Sequence, residues 1–342
     1  MNENVAVQPD ASKIVELGMA FCGSKVMLSA VELGLFTVLH EGAQTEEQLR
    51  RRLELHGRGV RDFLNALVRM GLLAHTGESF ANTELSDRYL VRGASTYMGS
   101  FLDRANRVLY GAWGNFTDAL RTGEAQLDQV RARGNMFSNL YENPDAMRDF
   151  LAMMDGLNSI LGPLLARAFD WSGHRSVVDI GGARGNLVAS LIKAHPHLEA
   201  TVFDLPPVEA AFTEHMAAIG LADRTTFRGG DFFSDPLPEG DVLIIGHVLE
   251  DWNNEQRQLL LKNAYAAVRP GGALLVYDPM LDDELSGLTN LLTSLTMLVA
   301  TRGGGEYTSV DCQRWLREAG FQDTSAAALG SSDILVVGRK QR

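Results

Sequence analysis

Residues 176–186 read S-V-V-D-I-G-G-A-R-G-N, and this stretch decides the fold of the C-terminal half of the chain. Its β-branched run predicts a short strand, its glycines predict a tight turn, and the residues up to 194 have the spacing of a helix. Similar apolar runs predict further strands, most of them separated by helical segments, at 200–204, 225–227, 242–245, 273–277 and 333–338. Strands that alternate with helices predict an α/β fold built on a doubly wound parallel sheet.

The N-terminal part of the chain has a different pattern. Apolar residues recur at helical spacing over 13–39, Thr45 begins a capping box, and a second helix is predicted over 58–70. Residues 72–81 are two apolar stretches around a Gly-containing turn, which predicts a β-hairpin. Because helix, helix, hairpin is the order of a winged helix, we predict three regions: a mainly α winged-helix-like domain over 1–97, a helical region over 98–170, and the sheet domain over 171–342.

The charge balance limits the classes of partner. Lys and Arg number 31 against 43 Asp and Glu, which gives a formal net charge of −12. Proteins that bind nucleic acid gain affinity mainly by neutralising phosphates, so this excess of acid argues against a nucleic-acid partner. A winged-helix regulator remains a remote alternative, for which the basic run 50–52 is a weak sign, because such a run is usually a solvated helix face.

Cysteine usage and hydropathy predict the compartment. Cys22 and Cys312 form no CxxC pair, which suits a reducing environment. Residues 1–13 lack the basic start and apolar core of a signal peptide. Apolar stretches such as 242–249 are shorter than the ~20 residues of a membrane-spanning helix. We therefore expect a cytoplasmic protein with no membrane partner.

Acidic residues follow the predicted strands at the edge where a doubly wound sheet binds its ligands. Asp179, beside the glycines of the first turn, suits an ammonium group, and Asp204 suits the two hydroxyls of a ribose. Asp231 and Phe232 offer a hydrogen-bond acceptor and a ring face to an adenine. Ammonium, ribose and adenine together indicate S-adenosylmethionine.

The first turn is not a dinucleotide fingerprint. Starting from Gly181, the pattern GxGxxG requires glycines at two positions that hold Ala183 and Asn186. A pyrophosphate cofactor is therefore disfavoured.

On these motifs the chain resembles the class I S-adenosylmethionine-dependent small-molecule O-methyltransferases of the plant caffeate and bacterial antibiotic-pathway type. The matching stretches are VVDIGGARG, FDLPPV, GDFFSDPLPEGDVLI, HVLEDWNNE, VRPGGALLVYD and GGGEYTSVDCQRWLREAGF, and AFCGSKVMLSAVELGLF through NTELSDRYL resembles the family's winged-helix dimerisation domain. The resemblance implies a Rossmann-like domain and a homodimer in which each subunit contributes to its partner's substrate pocket. It also implies that the cofactor lies among Asp179, Gly181, Gly182, Asp204, Leu205, Asp231 and Phe232.

The chain departs from the family at the general base. Most members carry a histidine immediately before the Asp-Trp pair, where this chain has Glu250. A glutamate, with a pKa of about 4.3, is a weaker base than a histidine at about 6.5 unless burial raises its pKa. Three interpretations stay open: Glu250 is the base, His247 or Asp251 replaces it, or the substrate hydroxyl ionises unaided and catalysis is alignment. We favour Glu250 or alignment over His247. In the alternative interpretation His247 has no catalytic role and only caps the fourth predicted strand.

Two more acids match residues that support the base in the family, namely Asp278 and Glu306. Together with Glu250 and Asp251 they form a cluster of negatively charged side chains. Repulsion within the cluster predicts that at least one of their pKa values is raised. The histidines are scattered, so we predict no metal site.

The resemblance implies that the substrate pocket is lined by Trp113, Phe116, Met154, Met297 and Asp251, with residues near Phe21 arriving from the partner subunit. Such apolar walls suit a flat aromatic or heteroaromatic molecule with one hydroxyl. The predicted reaction is methyl transfer to that oxygen in secondary metabolism. The alternatives are transfer to carbon, or a non-methylating reaction on the same fold.

Overall fold

The structure is a computed structural model that describes residues 10–94, 96–127, 130, 136–281 and 287–342. Within it the chain divides into two compact units, Met1–Asn106 and Arg107–Arg342. The chain passes from one unit to the next in a π-helical stretch, Ala105–Leu109.

The N-terminal unit is mainly helical with a small sheet. Its sheet has the order β1-β3-β2, and its two longer strands form the predicted hairpin. The predicted capping box is present, since Thr45 accepts the N–H of Gln48 while the Gln48 side chain accepts the N–H of Thr45. The elements are the helices Ser12–Glu32, Leu35–His40, Glu46–Arg52, Val60–Arg69, Glu84–Tyr89 and Gly99–Arg104 and the strands β1 Gln44–Thr45, β2 Leu73–Thr76 and β3 Ser79–Asn82.

The apolar pattern over 13–39 is not one helix. It is interrupted at Gly34, whose backbone is left-handed with φ of 70°, so that the helix Ser12–Glu32 ends there and Leu35–His40 begins. An L-residue in that conformation is strained, and glycine is not. The second helix packs into the core of this unit through Leu35, Phe36 and Leu39.

The helix Ser12–Glu32 also corrects the expectation that no segment is long enough to span a membrane. By length and composition alone it qualifies as a candidate membrane span, and 17% of its most apolar window is buried. The continuous-run criterion missed it because charged residues interrupt the apolar ones. A helix near the N-terminus that meets this test is weak evidence for a membrane.

The C-terminal unit is a seven-stranded sheet with helices on both faces. Strand order is β6-β5-β4-β7-β8-β10-β9. The strands are β4 Ser176–Ile180, β5 Glu199–Asp204, β6 Thr225–Gly229, β7 Gly240–Gly246, β8 Val268–Asp278, β9 Asp323–Leu329 and β10 Asp333–Arg339. The α-helices are Tyr110–Trp113, Phe116–Thr122, Met136–Tyr141, Pro144–Ala168, Asn186–Ala194, Glu209–Ala218, Asn254–Ala267, Leu288–Ala300 and Ser309–Ala319, with short 3-10 turns at Pro206–Val208, Ala222–Arg224 and Leu249–Asp251.

Burial on both faces explains why the strands of this sheet read as continuous apolar runs. In β4, Val177 packs into the core on one face and Val178 into the core on the other. The predicted α/β sheet is confirmed, with two differences: the strand β9 was not predicted, and the sheet is not parallel throughout. β9 and β10 are antiparallel, because only three residues join them and a parallel connection needs a crossover of a dozen or more.

Candidate active site

A cavity opens at the carboxyl ends of the parallel strands β4, β5, β6 and β7. One part of its lining is the backbone and side chains that follow those strands, and the other is a wall of aromatic and apolar side chains. The lining residues are Gly181, Ala183, Asp204, Leu205, Gly230, Asp231, His247, Val248 and Asp251 in the first part and Phe137, Tyr141, Phe150, Met154, Phe232 and Trp252 in the second. Five of the seven residues predicted to hold the cofactor are therefore in the lining, and Asp179 and Gly182 lie directly behind it.

The turn after β4 is glycine-rich for steric reasons. A Cβ on Gly181 would lie 2.8 Å from Val248, and one on Gly182 would lie 2.6 Å from the carboxylate of Asp179. Ala183, where the family usually has glycine, still adopts a left-handed backbone with φ of 50°. For an alanine this costs about 1–2 kcal/mol. Its N–H donates to Oδ2 of Asp204 at 2.8 Å, and this bond helps to hold the turn.

The two acids beneath the cavity differ in their partners. Asp204 accepts hydrogen bonds from the N–H groups of Ala183 and Leu205, at 2.8 and 2.7 Å. Oδ2 of Asp179 is buried and has no hydrogen-bond partner among the described residues. Burial raises the pKa of Asp204 to about 6, against these two bonds, while burial and the charge of Asp204 raise the pKa of Asp179 to about 7. A buried carboxylate without a partner is a site for a cation.

We expect the binding of a cationic cofactor at pH 6.5 to release protons, because Asp179 must ionise to pair with it. Isothermal titration calorimetry in two buffers of different ionisation enthalpy measures the number released. The Asp179→Asn variant should release fewer, and heats that do not depend on the buffer in the unsubstituted protein would contradict this assignment.

The same shift has a consequence for stability. Without ligand, the folded protein keeps on Asp179 a proton that the unfolded chain loses near pH 3.8. The folded state thus binds more protons between about pH 4 and pH 7, so the contribution of Asp179 to stability falls as pH rises through that window.

A second group of titratable side chains surrounds the 3-10 turn Leu249–Asp251. Nδ1 of His247 lies 3.2 Å from Oε1 of Glu250, and both side chains are buried. Oε2 of Glu250 has no close hydrogen-bond partner among the described residues, and neither oxygen of the neighbouring Glu306 has one. Asp278 is fully buried at the end of β8 and accepts a hydrogen bond from the hydroxyl of Tyr307. All the residues predicted to be catalytic, Asp251 included, therefore lie at this edge of the sheet.

The pKa values in this group move in opposite directions. Burial opposes the charge of both His247 and Glu250, but the interactions with Asp333 and Glu250 raise the pKa of His247 well above its usual value, and His247 in turn lowers the pKa of Glu250. Burial and the charge of Glu250 strongly raise the pKa values of Glu306 and Asp278. These directions favour a His247–Glu250 ion pair and the protonated forms of Glu306 and Asp278. The predicted raising of at least one acid has occurred, though not at Glu250.

Arg257 holds the backbone around Glu250. This buried side chain donates to the carbonyl oxygen of Leu249 at 2.8 Å and to that of Gly305, and its guanidinium lies over the ring of Tyr307. The carbonyl oxygen of Glu250 accepts the N–H of Gly305 at 2.8 Å. The loop that carries Glu306 is thereby tied to the turn that carries Glu250.

The residues predicted to bind the substrate are only partly brought to the cavity. Met154 lines it, whereas Trp113, Phe116 and Met297 do not. Trp113 and Phe116 contact each other with ring centroids 4.7 Å apart. The helix Leu288–Ala300, which carries Met297, packs against their two helices and against the 3-10 turn of Glu250. These three residues thus belong to elements beside the Glu250 group, and their role stays a prediction.

Sequence reasoning missed Asp333. Its Oδ1 lies 2.7 Å from Nε2 of His247. Since β10 runs antiparallel to β8, its first residue lies at the edge where the parallel strands end. An antiparallel assignment of the last strand is the signal that places Asp333 there.

One set of described residues has the spacing of a metal site. Ligand atoms of His247, Glu250 and Asp278 lie within 4.8 Å of one another. Of these atoms, Nδ1 of His247 and Oε1 of Glu250 already contact each other at 3.2 Å.

Comparison with known proteins agrees with this geometry. Residues 15–92 match the O-methyltransferase dimerisation domain and residues 113–322 match the O-methyltransferase domain. The chain is 47% identical over 331 residues, 96% of each chain, to the tetracenomycin polyketide synthesis 8-O-methyl transferase TcmO of Streptomyces glaucescens. It is 38% identical, over 96% of each chain, to the N,N-dimethyltransferase OxyT of Streptomyces rimosus.

Solved structures give the same result. Human N-acetylserotonin methyltransferase in complex with SAM superposes with a TM-score of 0.90 at 30% identity, over 99% of this chain and 100% of that one. The orphaned carboxylate of Asp179 fits the cationic cofactor, and so does the absence of a Cβ at Gly182. The chain belongs to the S-adenosylmethionine-dependent O-methyltransferases that have an N-terminal dimerisation domain.

Proposed function

We propose that this enzyme methylates one phenolic hydroxyl of a flat polycyclic aromatic molecule of the polyketide type, and that the carboxylate of Glu250 receives the hydroxyl proton. Two orphaned oxygens carry the proposal. Oδ2 of Asp179 is buried behind the cavity lining, and Oε2 of Glu250 is buried near Glu306; neither oxygen has a partner at hydrogen-bond distance among the described residues. The first is matched by the ammonium of the cofactor and the second by a hydroxyl.

The chemistry divides between cofactor and chain. Bound S-adenosylmethionine supplies an electrophilic methyl group on a sulfonium. Asp204 and Asp179 fix its polar groups, and Phe232, supported edge-on by Trp252 at 5.8 Å between centroids, offers a ring face to its adenine. Glu250, ionised beside His247, accepts the hydroxyl hydrogen and aligns the oxygen, while the neighbouring carboxyl of Glu306 favours the ionised form of Glu250.

The substrate class rests on the relatives and on the walls of the site. TcmO is named for polyketide synthesis, and a further relative, 31% identical over 93% of this chain and 91% of its own length, is a 3-hydroxy-5-methyl-1-naphthoate 3-O-methyltransferase from Streptomyces sahachiroi. The cavity wall in this chain is mostly aromatic. A planar fused-ring phenol satisfies both observations.

Turnover of a panel of hydroxylated naphthoates, anthraquinones and tetracyclic polyketides tests the proposal. Mass spectrometry should show one added methyl, and two-dimensional NMR should place it on oxygen. A methyl on carbon would contradict this function and indicate a different transfer reaction. The panel also includes an aminated analogue, because the relative OxyT is an N,N-dimethyltransferase, and a methyl on its nitrogen would likewise indicate a different reaction.

We also propose that the enzyme is a homodimer that forms through residues 15–92. Five apolar side chains on the helix Ser12–Glu32 are each more than half exposed in the single chain, namely Ile14, Val15, Leu17, Met19 and Phe21. Exposed apolar surface of this extent favours association. Analytical ultracentrifugation should give a dimer at micromolar concentration, and a monomer under those conditions would contradict the assignment.

A further inference from the structure

His247 is held between two carboxylates that come from different elements. Its Nδ1 lies 3.2 Å from Oε1 of Glu250, in the turn after β7, and its Nε2 lies 2.7 Å from Oδ1 of Asp333, at the start of β10. Its backbone is left-handed, with φ of 53°, yet its N–H still donates to the carbonyl oxygen of Tyr277 at 3.0 Å. The two carboxylates therefore fix the ring from both sides. The positive φ of the residue is uncommon for an amino acid other than glycine.

The number of protons on the ring follows from this arrangement. A neutral imidazole has one N–H and one lone pair, so it can satisfy only one of two facing carboxylates. The imidazolium donates from both nitrogens and satisfies both. Since the side chain is only 13% exposed, water offers little compensation for a carboxylate that faces a lone pair.

The remaining charges around the ring support the cationic form. The ionisable groups that face it, directly or through Glu250, come from every element packed against it: Glu250 on the turn, Tyr277 and Asp278 on β8, Asp333 on β10, Glu306 on the loop before the helix Ser309–Ala319, and Arg257 on the helix Asn254–Ala267. Acids outnumber cations in this set. Two of the acids, Asp278 and Glu306, are held protonated by the same crowding, so the charges that act on the ring directly are those of Glu250 and Asp333.

We propose, on the basis of the function proposed above, that His247 is a positioning residue that stays protonated: together with Asp333 it holds Oε1 of Glu250 as an ionised carboxylate and leaves Oε2 for the substrate hydroxyl. In the usual family arrangement the histidine stands at position 250, whereas in this chain His247 stands three residues earlier and Glu250 occupies that position. His247 is not the base, because each of its ring nitrogens faces a carboxylate oxygen and a doubly protonated ring has no lone pair to accept a proton. This departs from the alternative in which His247 replaces the missing base.

A direct test is the protonation state of the ring. The protein has eight histidines, and ¹⁵N labelling of their rings reports whether each imidazole carries one or two protons. His247, assigned by the signal that disappears in the His247→Gln variant, should have the shifts of an imidazolium at pH 8. A neutral His247 at pH 8 overturns the proposal. This readout does not depend on methyl transfer, so it stands apart from the outcome for Glu250 as base.

A second test is the pH profile of kcat at saturating cofactor. In the unsubstituted enzyme no acid limb from Glu250 should appear above about pH 5, whereas in His247→Gln an acid limb should move up by one pH unit or more, because Glu250 loses its cation. Asp333→Asn, which keeps the shape of the side chain, should move it in the same direction by less. His40→Gln is the matched control, since His40 pairs with Asp87 at 2.8 Å in an exposed position of the other unit.

The outcomes separate positioning from a purely structural role. A structural role would lower the melting temperature of His247→Gln and leave the acid limb unmoved in both variants, which would overturn the proposal. If His247→Gln does not fold, two other measurements test the proposal: the acid limb of the pH profile of Asp333→Asn, and the ¹⁵N shifts of the His247 ring in the unsubstituted protein. Full activity of Glu250→Gln together with an imidazolium at His247 would refute the role of Glu250 as proton acceptor and not the charge state of His247.

Discussion

Replacing Glu250 with glutamine should lower kcat by about 10²–10³-fold, within the range that general acid–base catalysis contributes. The amide keeps the size of the side chain and the contact with His247, but it has no negative charge to accept the hydroxyl proton as the methyl is transferred. The affinity for S-adenosylhomocysteine should stay within about threefold, because Glu250 is not among the residues that line the cavity. Initial rates at saturating cofactor, with calorimetry of the same protein, measure both.

Glu255 supplies the matched control for this substitution. It lies five residues further on, exposed in the first turn of the helix Asn254–Ala267. Glu255→Gln makes the same chemical change and should leave kcat unaltered. A kcat for Glu250→Gln within threefold of the unsubstituted enzyme would contradict the hypothesis that Glu250 is the general base. Alignment of the substrate oxygen would then remain as the source of catalysis.

Replacing Asp204 with alanine should weaken the binding of S-adenosylhomocysteine by 100-fold or more. The carboxylate is lost to the ribose hydroxyls, and the buried N–H groups of Ala183 and Leu205 lose their acceptor, which costs about 1–3 kcal/mol for each group left unpaired. The left-handed turn at Ala183 then loses a bond that opposes its strain. Calorimetry measures the affinity, and thermal unfolding measures the stability.

Asp241 offers a control with the same local role at the other edge of the sheet. Its Oδ2 accepts the N–H groups of Arg175 and Ser176, at 2.7 and 3.1 Å, before β4 begins. Asp241→Ala should lose stability through the same unpaired groups but keep its cofactor affinity. Equal loss of affinity in both variants would show that Asp204 acts only through the fold.

The cofactor half of the site could be predicted from the sequence because it is local. Each residue lies at or just beyond the carboxyl end of a strand, and the carboxyl ends of parallel strands meet at one edge, so the positions of Asp179, Asp204 and Asp231 were predictable from the strands. The identity of the cofactor followed from the chemistry of those side chains. Their pKa values did not, because they depend on burial and on the mutual repulsion of Asp179 and Asp204.

The catalytic half was only partly predictable. Glu250, Asp278 and Glu306 were identified from the family resemblance, but the sequence left open whether burial raises the pKa of Glu250, and in the structure His247 lowers it. The contact between His247 and Glu250 occurs with a left-handed backbone at His247, which the sequence pattern does not predict. The last strand was predicted as part of a parallel sheet, whereas β10 runs antiparallel to β8, so Asp333 was not expected at this edge.

The sequence by itself determined the fold class, the order of the strands along the chain, the cofactor chemistry and the set of acids at the ligand edge, because apolar periodicity and turn residues act over a few neighbours. Only the tertiary structure decided which acids keep their protons and which histidine nitrogen meets which carboxylate. These properties depend on groups far apart in the chain, such as His247 and Asp333, which the antiparallel return of β10 brings to 2.7 Å in a buried space. In such a space a charge is stable only beside its partner, so the ionisation of the site is a property of the fold.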